Sequence, residues 1–213
     1  MNTSAPRFVS FEGVEGVGKT TAIRLFAQLL DAKGVAYTRN REPGGTPVAE
    51  ALRDIVLAEH DEKLADTTEL LLMFAARAQS VAHVIRPALA RGEWVLCDRF
   101  TDATLAYQGF ARGLPVSRIN TLAQWVHGDL WPHATIWLHA PVAVTNQRMD
   151  ARGQDRDRIE QQPSAFFDKA AAGYAQLAAD HPDRYFPIDT SVSKAVVKER
   201  LATVLDALLE GDG

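Results

Sequence analysis

Residues 7–21 read RFVSFEGVEGVGKTT, and the remainder of the chain is best interpreted from this stretch. Its first six residues, with the apolar Phe8, Val9 and Phe11 among them, predict a short strand over Arg7–Glu12. The next eight, from Gly13 to Thr20, match the pattern GxxxxGK(S/T), and a helical pattern follows as far as Lys33, with Gly34 as its C-cap. A strand, a glycine-rich turn and a helix in succession present backbone N–H groups to an anion at the start of the helix.

The residues of this turn suit the binding of a nucleoside triphosphate. Glycine lets successive N–H groups point at phosphate oxygens without a Cβ in the way. Lys19 can reach the β- and γ-phosphates, and the Thr20 hydroxyl can bind Mg²⁺. The pattern therefore predicts a P-loop over residues 13–20. The predicted ATP-binding residues of this segment are Gly13, Val14, Glu15, Gly16, Val17, Gly18, Lys19, Thr20 and Thr21.

Short apolar strands alternate with helical patterns along the rest of the chain. The further predicted strands are Val35–Arg39, Glu93–Asp98, Ala134–His139 and Arg184–Ile188; the longer predicted helices are Pro47–Glu59, Thr67–Arg91 and Ala195–Leu209. This alternation predicts an α/β protein of the P-loop NTPase fold, with a five-stranded parallel sheet flanked by helices on both faces. No repeat or long linker divides residues 1–213, so we expect a single domain with ligands beyond the carboxyl ends of the strands.

The composition limits the possible functions. Of 213 residues, 46% are hydrophobic and 23% are charged, as in an ordinary soluble domain. A formal net charge of −4 disfavours a broad nucleic-acid-binding face. The six histidines form no ligand cluster, and a lone Cys97 excludes an internal disulfide. With no long apolar run and no signal-like start, we expect a cytoplasmic protein that binds no membrane.

A second group of polar residues follows the strand Glu93–Asp98. Asp98 and Arg99 come at the carboxyl end of this strand, where ligands bind in parallel sheets. If the following segment is helical, Thr104, Tyr107 and Gln108 share one face. Two hydrogen-bonding side chains and an aromatic ring on one surface suit a nucleobase and its sugar.

Several motifs together resemble the thymidylate kinases of bacterial type. They are FEGVEGVGKTT in the P-loop, TRNREPGGT at 38–46, LLLMFAAR at 70–77, CDRFTDATLAYQGFARG at 97–113 and RGQDRDRIEQ at 152–161. The resemblance runs from about Phe8 to about Leu209. It implies ATP-dependent phosphorylation of dTMP to dTDP in dTTP synthesis, with ATP and dTMP as partners. It also implies a lid at about 149–163 and a homodimer in the cytoplasm.

The resemblance assigns residues that bind the acceptor nucleotide. Arg53 and Arg99 match the arginines that hold the acceptor phosphate, and a planar guanidinium suits bidentate contact with phosphate. Arg77 matches the residue that addresses thymine O4, an acceptor where cytosine offers a donor. The other implied roles are thymine N3 and O4 for Thr104 and Gln108, the deoxyribose for Tyr107, and the sugar hydroxyl and acceptor phosphate region for Glu15 and Glu42.

One position departs from the family's pattern. Where the family usually has a phenylalanine that stacks on thymine, four residues before Arg77, this chain has Met73, and the aromatic residue is Phe74. Met73 and Arg77, at i and i+4, share a helix face, and a thioether can cover a ring adaptably. We therefore expect Met73 to pack on the base and Phe74 to be a packing or dimer-interface residue.

The resemblance also implies how charge is supplied for the transfer. The four positions between Gly13 and Gly18 hold no basic residue, and family members of this kind supply cationic charge from the lid instead. The candidate catalytic residues are Lys19, Arg99, Glu15, Arg152, Arg156 and Arg158, with one or two of the last three acting as an arginine finger. Arg148 is implied to pack on adenine. Thr20 is a predicted metal ligand, and Asp98 and Glu12 are predicted to contact Mg²⁺ indirectly or through water.

Two alternatives remain open from the sequence. The chain could be another nucleoside or nucleoside-monophosphate kinase, since a P-loop does not identify the acceptor. It could also be an ATP-binding switch that hydrolyses ATP slowly. The N/TKxD motif of GTPases and the LSGGQ motif of ABC-type ATPases are both missing, which disfavours those two classes.

Overall fold

A computed structural model of the chain describes residues 5–151, 153 and 157–210. Its strands are β1 (Phe8–Glu12), β2 (Tyr37–Arg41), β3 (Trp94–Asp98), β4 (Ala134–His139) and β5 (Tyr185–Asp189). Its α-helices are α1 (Lys19–Lys33), α2 (Pro47–Leu57), α3 (Asp66–Ser80), α4 (Arg86–Ala90), α5 (Thr101–Thr104), α6 (Val116–Val126), α7 (Val142–Ala151), α8 (Ser164–Asp180) and α9 (Lys194–Glu210). Two π-helical segments, Val81–Ile85 and Leu105–Ala111, continue α3 and α5.

The five strands form one parallel sheet in the order β2-β3-β1-β4-β5, which confirms the predicted α/β fold. β1 lies at the centre, where Val9 is in register with Leu96 on one side and Ala134 on the other. The loop that follows β1 and the residues that follow β3 therefore emerge side by side. This adjacency positions the P-loop next to Asp98 and Arg99.

Helices cover both faces of the sheet, as predicted. Val9 and Phe11 of β1 pack in a core with α1 and α9. Phe8, on the opposite face of the same strand, packs with the π-helical segment 81–85 and with Ala88 of α4. Because side chains alternate along a strand, β1 and β3, whose residues are buried on both faces of the sheet, require cover on both sides.

The second strand begins two residues later than the sequence predicts. The backbone N–H of Val35 bonds to the carbonyl of Leu30 at 3.0 Å, and Gly34 has a left-handed conformation. Val35 is therefore part of the C-terminal cap of α1, and its apolar side chain had suggested a strand. The true strand, YTRNR, is largely polar because β2 lies at the sheet edge.

The predicted helix over Thr67–Arg91 is interrupted. The N–H of Arg86 bonds to the carbonyl of Val81, five residues back, and Pro87 has no N–H to continue an α-helical ladder. A wider π turn thus forms over Val81–Ile85 before α4 begins. Helical periodicity predicted the apolar face correctly but gave no sign of this change in pitch.

Gly173 lets α8 pack closely against Phe110 of the π-helical segment Leu105–Ala111. A Cβ at this position would lie 2.8 Å from the ring of Phe110 and 2.9 Å from its Cβ, so rotation of the ring would not relieve the overlap. Alanine gains up to about 1 kcal/mol in helix propensity over glycine, whereas overpacking costs about 1–3 kcal/mol. We expect Gly173→Ala to lower the melting temperature by about 2–4 °C.

The control for this prediction is Ala175→Ser on the same helix, which adds one atom at an exposed position. It should leave the melting temperature within about 1–2 °C of the parent. An unchanged or raised melting temperature for Gly173→Ala would mean that the contact with Phe110 carries no packing constraint.

Candidate active site

The predicted P-loop is wedged between the sheet and α7. Gly13 and Gly16 have φ values of 135° and 75°, in the region that favours glycine. A Cβ on Gly13 would lie 2.3 Å from the carbonyl oxygen of Leu138, and one on Gly16 would lie 2.4 Å from that of Thr145. These two positions require glycine both for conformation and for space. The loop therefore has a fixed shape before any ligand arrives.

Lys19 supplies positive charge at the start of α1. Its ammonium group donates to the carbonyl oxygens of Gly13 and Val14, at 3.1 and 3.3 Å. Burial, together with repulsion from Arg99, lowers the pKa of Lys19. Lys19 lines the cavity beside the loop, together with Gly16, Gly18, Thr20, Thr21 and Arg148. An anion bound there would relieve the cost of burying this charge.

Arg99 turns back over the end of β1 through a left-handed backbone conformation. Its φ is 71°, which is uncommon for a residue other than glycine. The Arg99 N–H donates to the carbonyl of Phe11 at 3.0 Å, and the next N–H, of Phe100, donates to the Glu12 carboxylate at 2.7 Å. These two bonds hold the turn on β1, and strained backbone of this kind often marks a functional site.

Three side chains fix the guanidinium of Arg99. It donates to Glu15 at 2.6 Å, to the hydroxyl of Tyr174 at 3.2 Å and to that of Tyr107 at 3.1 Å. The guanidinium carbon also lies 4.8 Å from the centre of the Tyr107 ring. The group is thus held in one orientation, which lowers the entropy cost of using it on a ligand.

Glu15, inside the P-loop, is a partner of this arginine. Its second oxygen accepts from the Tyr107 hydroxyl. Burial alone would raise the pKa of Glu15, but the positive charges of Arg99 and Lys19 outweigh burial and hold that pKa below its usual value. A carboxylate within a phosphate-binding loop is thereby stabilised in its ionised form, and it orients Arg99.

Glu12 lies beneath the site and is fully buried. One of its oxygens accepts from the N–H of Phe100, and the other accepts from the hydroxyl of Tyr174 at 2.8 Å. Burial, reinforced by the charge of Asp102, raises the pKa of Glu12 to about 8. Both oxygens of this predicted metal contact are therefore engaged by the protein, and they brace the turn that carries Arg99.

A cavity adjoins the P-loop on the side of α2 and α3. Seven of the predicted residues line it: Glu15, Glu42, Arg53, Met73, Arg99, Tyr107 and Gln108. Arg53 is held by a hydrogen bond to the carbonyl of Pro43 at 2.9 Å. Burial and the nearby charge of Arg41 lower the pKa of Arg53. A bound anion would offset both effects and stabilise the charged guanidinium.

Arg77 and Thr104 lie behind the wall of this cavity and are not among the residues that line it. Arg77 is fully buried and donates to Glu42 at 2.7 Å and to the Thr104 hydroxyl at 3.0 Å. Its Nη1 has no hydrogen-bond partner among the described residues. The segment that carries Thr104 and Tyr107 changes from α- to π-helix at Leu105, so the α-helical spacing assumed for these residues does not hold.

Met73 and Phe74 face in different directions. Met73 is half-buried and lines the cavity. Phe74 is 2% exposed and packs in the core with Leu70 and Leu105, and its ring lies 4.8 Å below the guanidinium of Arg77. This geometry agrees with a packing role for Phe74.

Two oxygens near the P-loop are suited to magnesium. The Thr20 hydroxyl is exposed in the P-loop cavity, and Asp98, which lines the same cavity, has an Oδ1 atom that is buried without a hydrogen-bond partner in the described part of the chain. The described residues contain no cluster of three or more metal-binding side chains. Mg²⁺ commonly takes only one or two protein oxygens and completes its shell with phosphates and water, so these residues fit it.

The predicted lid is only partly described. Arg152 and Arg156 lie outside the described residues. Arg158 donates to the carbonyl of Val56 at 2.8 Å and to the carboxylate of Glu69, so in this structure it connects its own segment to α2 and α3. Arg148 of α7 lies over the P-loop and donates to the carbonyl of Thr190 at 2.7 Å.

Sequence reasoning missed two residues that organise the site. Tyr174 of α8 bonds to both Arg99 and Glu12, and Glu69 of α3 bonds to Gln108. Neither belongs to a short motif with a known role, and each reaches the site only through tertiary packing. No helix in the described part of the chain is long and apolar enough to cross a membrane.

The fold and the site define a P-loop kinase with a second cavity that adjoins the loop. The family model described as thymidylate kinase matches residues 11–201. The chain is 51% identical over 203 residues to the thymidylate kinase of Pseudomonas savastanoi pv. phaseolicola, covering 95% of this chain and 96% of that protein. It is 49% identical over 200 residues to that of Chromohalobacter salexigens, covering 93% and 94%.

A solved structure agrees with these relatives. The crystal structure of thymidylate kinase from Ehrlichia chaffeensis matches with a TM-score of 0.76 and 29% sequence identity, covering 95% of this chain and 99% of that chain. The chain belongs to the thymidylate kinase family. The predicted family, fold and enzyme class are therefore confirmed.

Proposed function

We propose that this chain transfers the γ-phosphoryl group of ATP to dTMP, giving dTDP. We call the cavity on the side of α2 and α3 the acceptor cavity. The observation that carries the proposal is that this cavity meets the P-loop cavity, with Arg99, Glu15 and Arg53 lining both. A guanidinium at the junction of two anion sites can offset the repulsion between donor and acceptor. A nucleotide switch that only hydrolyses ATP has no need of the second cavity.

Alignment and charge neutralisation account for the chemistry. The P-loop amides and Lys19 hold the triphosphate of ATP, while Arg148 packs on adenine. Arg99 and Arg53 hold the acceptor phosphate, and Glu15 keeps the guanidinium of Arg99 aimed between the two nucleotides. No general base is required, because a phosphate monoester has a second pKa near 6 and its oxygen is largely anionic at neutral pH.

The acceptor cavity suits thymidine in its polar and apolar contacts. Met73 packs on the base, and Tyr107 lies under the deoxyribose, with Glu15 and Glu42 near the sugar hydroxyl and the phosphate. The oxygen of the Gln108 side chain lacks a partner among the described residues and belongs to a residue that lines the cavity, so it can bond to the edge of thymine. Nη1 of Arg77 also lacks a described partner, but Arg77 lies behind the cavity wall, so its bond to thymine requires that wall to open when the base binds. Thr104 contributes through its bond to Arg77.

Magnesium, the lid and the assembly complete the proposal. Thr20 and Asp98 would hold Mg²⁺, with Glu12 acting from beneath; the bound ion neutralises charge on the β- and γ-phosphates. A lid at about 149–163 supplies one or two of Arg152, Arg156 and Arg158 to the transferring phosphoryl group. The enzyme acts as a cytoplasmic homodimer, each chain forming one domain over residues 1–213.

The central test is a panel of acceptors. ADP release from ATP·Mg²⁺ should be measured with dTMP, dUMP, dCMP, dGMP and thymidine, and without any acceptor. We expect dTMP to give the highest kcat/KM, because the unpaired groups of Arg77 and Gln108 match thymine. Faster reaction with thymidine, or release that ignores the acceptor, would contradict the proposal.

Arg99 should be essential for turnover. Arg99→Ala is expected to lower kcat by about 100-fold or more, since it removes charge at the junction of the two anions. Circular dichroism and ATP binding should show that the fold survives. Arg91→Ala is the matched control, because Arg91 lies just before the same strand and its side chain bonds to Glu93 at the surface. Near-normal dTMP phosphorylation by Arg99→Ala would remove this residue from the mechanism.

Substitutions at Met73 and Phe74 should have different effects, one on dTMP binding and the other on the stability of the fold. Met73→Ala is expected to raise KM for dTMP about 5- to 10-fold by removing apolar cover worth about 1 kcal/mol. Phe74→Leu should instead lower the melting temperature and leave KM close to the parent value. A dTMP complex with Phe74 on thymine would show that the assignment is reversed.

A further inference from the structure

Glu69 is a buried carboxylate that does not line the acceptor cavity but bonds to Gln108, which does. It lies in the first turn of α3 and is 1% exposed. Gln108 donates its side-chain nitrogen to Glu69 Oε1 at 2.9 Å, and Arg112 donates to both carboxylate oxygens, at 2.7 and 3.0 Å. Arg158 donates to the same group from the end of the lid.

These arginines keep Glu69 ionised. Burial alone would raise the pKa of Glu69, but the hydrogen bonds from Arg112 and Gln108 outweigh it and hold the pKa below its usual value. An ionised carboxylate only accepts hydrogen bonds. The side-chain nitrogen of Gln108 must therefore face Glu69.

The fixed amide has a direct consequence for the cavity. Because one N–H of the Gln108 amide is bonded to Glu69, the amide is held with its oxygen turned away from that carboxylate, and this oxygen is buried without a hydrogen-bond partner among the described residues. Gln108 itself lines the acceptor cavity. A ligand that meets this side chain therefore finds a hydrogen-bond acceptor.

Pyrimidine bases differ at the atom such an acceptor would meet. Thymine and uracil carry a hydrogen on ring nitrogen N3, whereas N3 of cytosine has a lone pair and repels another acceptor. A free glutamine amide could rotate and serve either base. The base that binds thus depends on whether the oxygen or the nitrogen of the Gln108 amide is presented to it.

We propose that Glu69 is a specificity-determining positioning residue, which fixes the amide of Gln108 so that the acceptor cavity admits a base with an N3–H group and rejects cytosine. This inference rests on the proposed function, since it concerns the choice among nucleoside monophosphates. Glu69 acts through Gln108 and does not itself line the cavity. With cytosine in the cavity, the oxygen of Gln108 would stay buried and unpaired, which disfavours that base. This discrimination adds to the one proposed for Arg77.

The test compares kcat/KM for dTMP and dCMP in Glu69→Gln. An amide at position 69 can donate as well as accept, so Gln108 is free to rotate. We expect the preference for dTMP over dCMP to fall by about tenfold or more, with most of the change in KM. Arg112→Gln is the control: it removes an ion pair from the same carboxylate but keeps the carboxylate facing Gln108, so the preference should hold.

A double-mutant cycle separates positioning from a merely structural role. In a Gln108→Leu background there is no amide to orient, so adding Glu69→Gln should leave the ratio of dTMP to dCMP unchanged. An equal further loss in that background would overturn the proposal. So would an unchanged ratio in the single variant.

Glu69→Asp covers the case in which the glutamine variant does not fold. It keeps the charge that Arg112 needs but withdraws the carboxylate from Gln108 by one methylene. A several-fold fall in preference is expected, and an unchanged preference overturns the inference. A parent enzyme that fails to phosphorylate dTMP would refute the proposed function itself, an outcome separate from any effect at Glu69.

Discussion

The repulsion between two phosphorylated nucleotides is the constraint that the rest of the structure serves. In the proposed mechanism the cation between them is Arg99, whose backbone is turned into a left-handed conformation. Glu15 and Tyr107 hold the guanidinium from one side, and Tyr174 holds it from the other. A P-loop element, a π-helical segment and α8 thus converge on one side chain. Its orientation is set before substrates bind.

The buried acids form a supporting layer below this cation. Glu12 uses one oxygen for the turn after Arg99 and the other for Tyr174, so the same carboxylate braces the backbone and a partner of the side chain. Asp102 nearby is paired bidentately with Arg184, at 2.6 and 2.9 Å. Breaking either arrangement would leave a polar group buried without compensation, which costs more than the bond itself contributes.

The sequence was most informative where one motif fixes local geometry. The GxxxxGK(S/T) pattern located the loop, and the apolar strands gave the parallel sheet, because burial on both faces leaves a clear signal. Val35 misled because a helix cap can be as apolar as a strand. Tyr174 and Glu69 could not be predicted, since their partners are 75 and 39 positions away and meet them only after packing. The π segment of Tyr107 likewise depends on contacts with α8.

The close approach of the P-loop to α7 has a mechanical consequence. At Gly16 the loop lies against the backbone of Thr145 with no room for even a methyl group, and Arg148 of the same helix contacts the loop carbonyls. α7 ends at Ala151, at the start of the predicted lid. Because the P-loop and α7 are in direct backbone contact, a shift of the loop would have to move this helix with it.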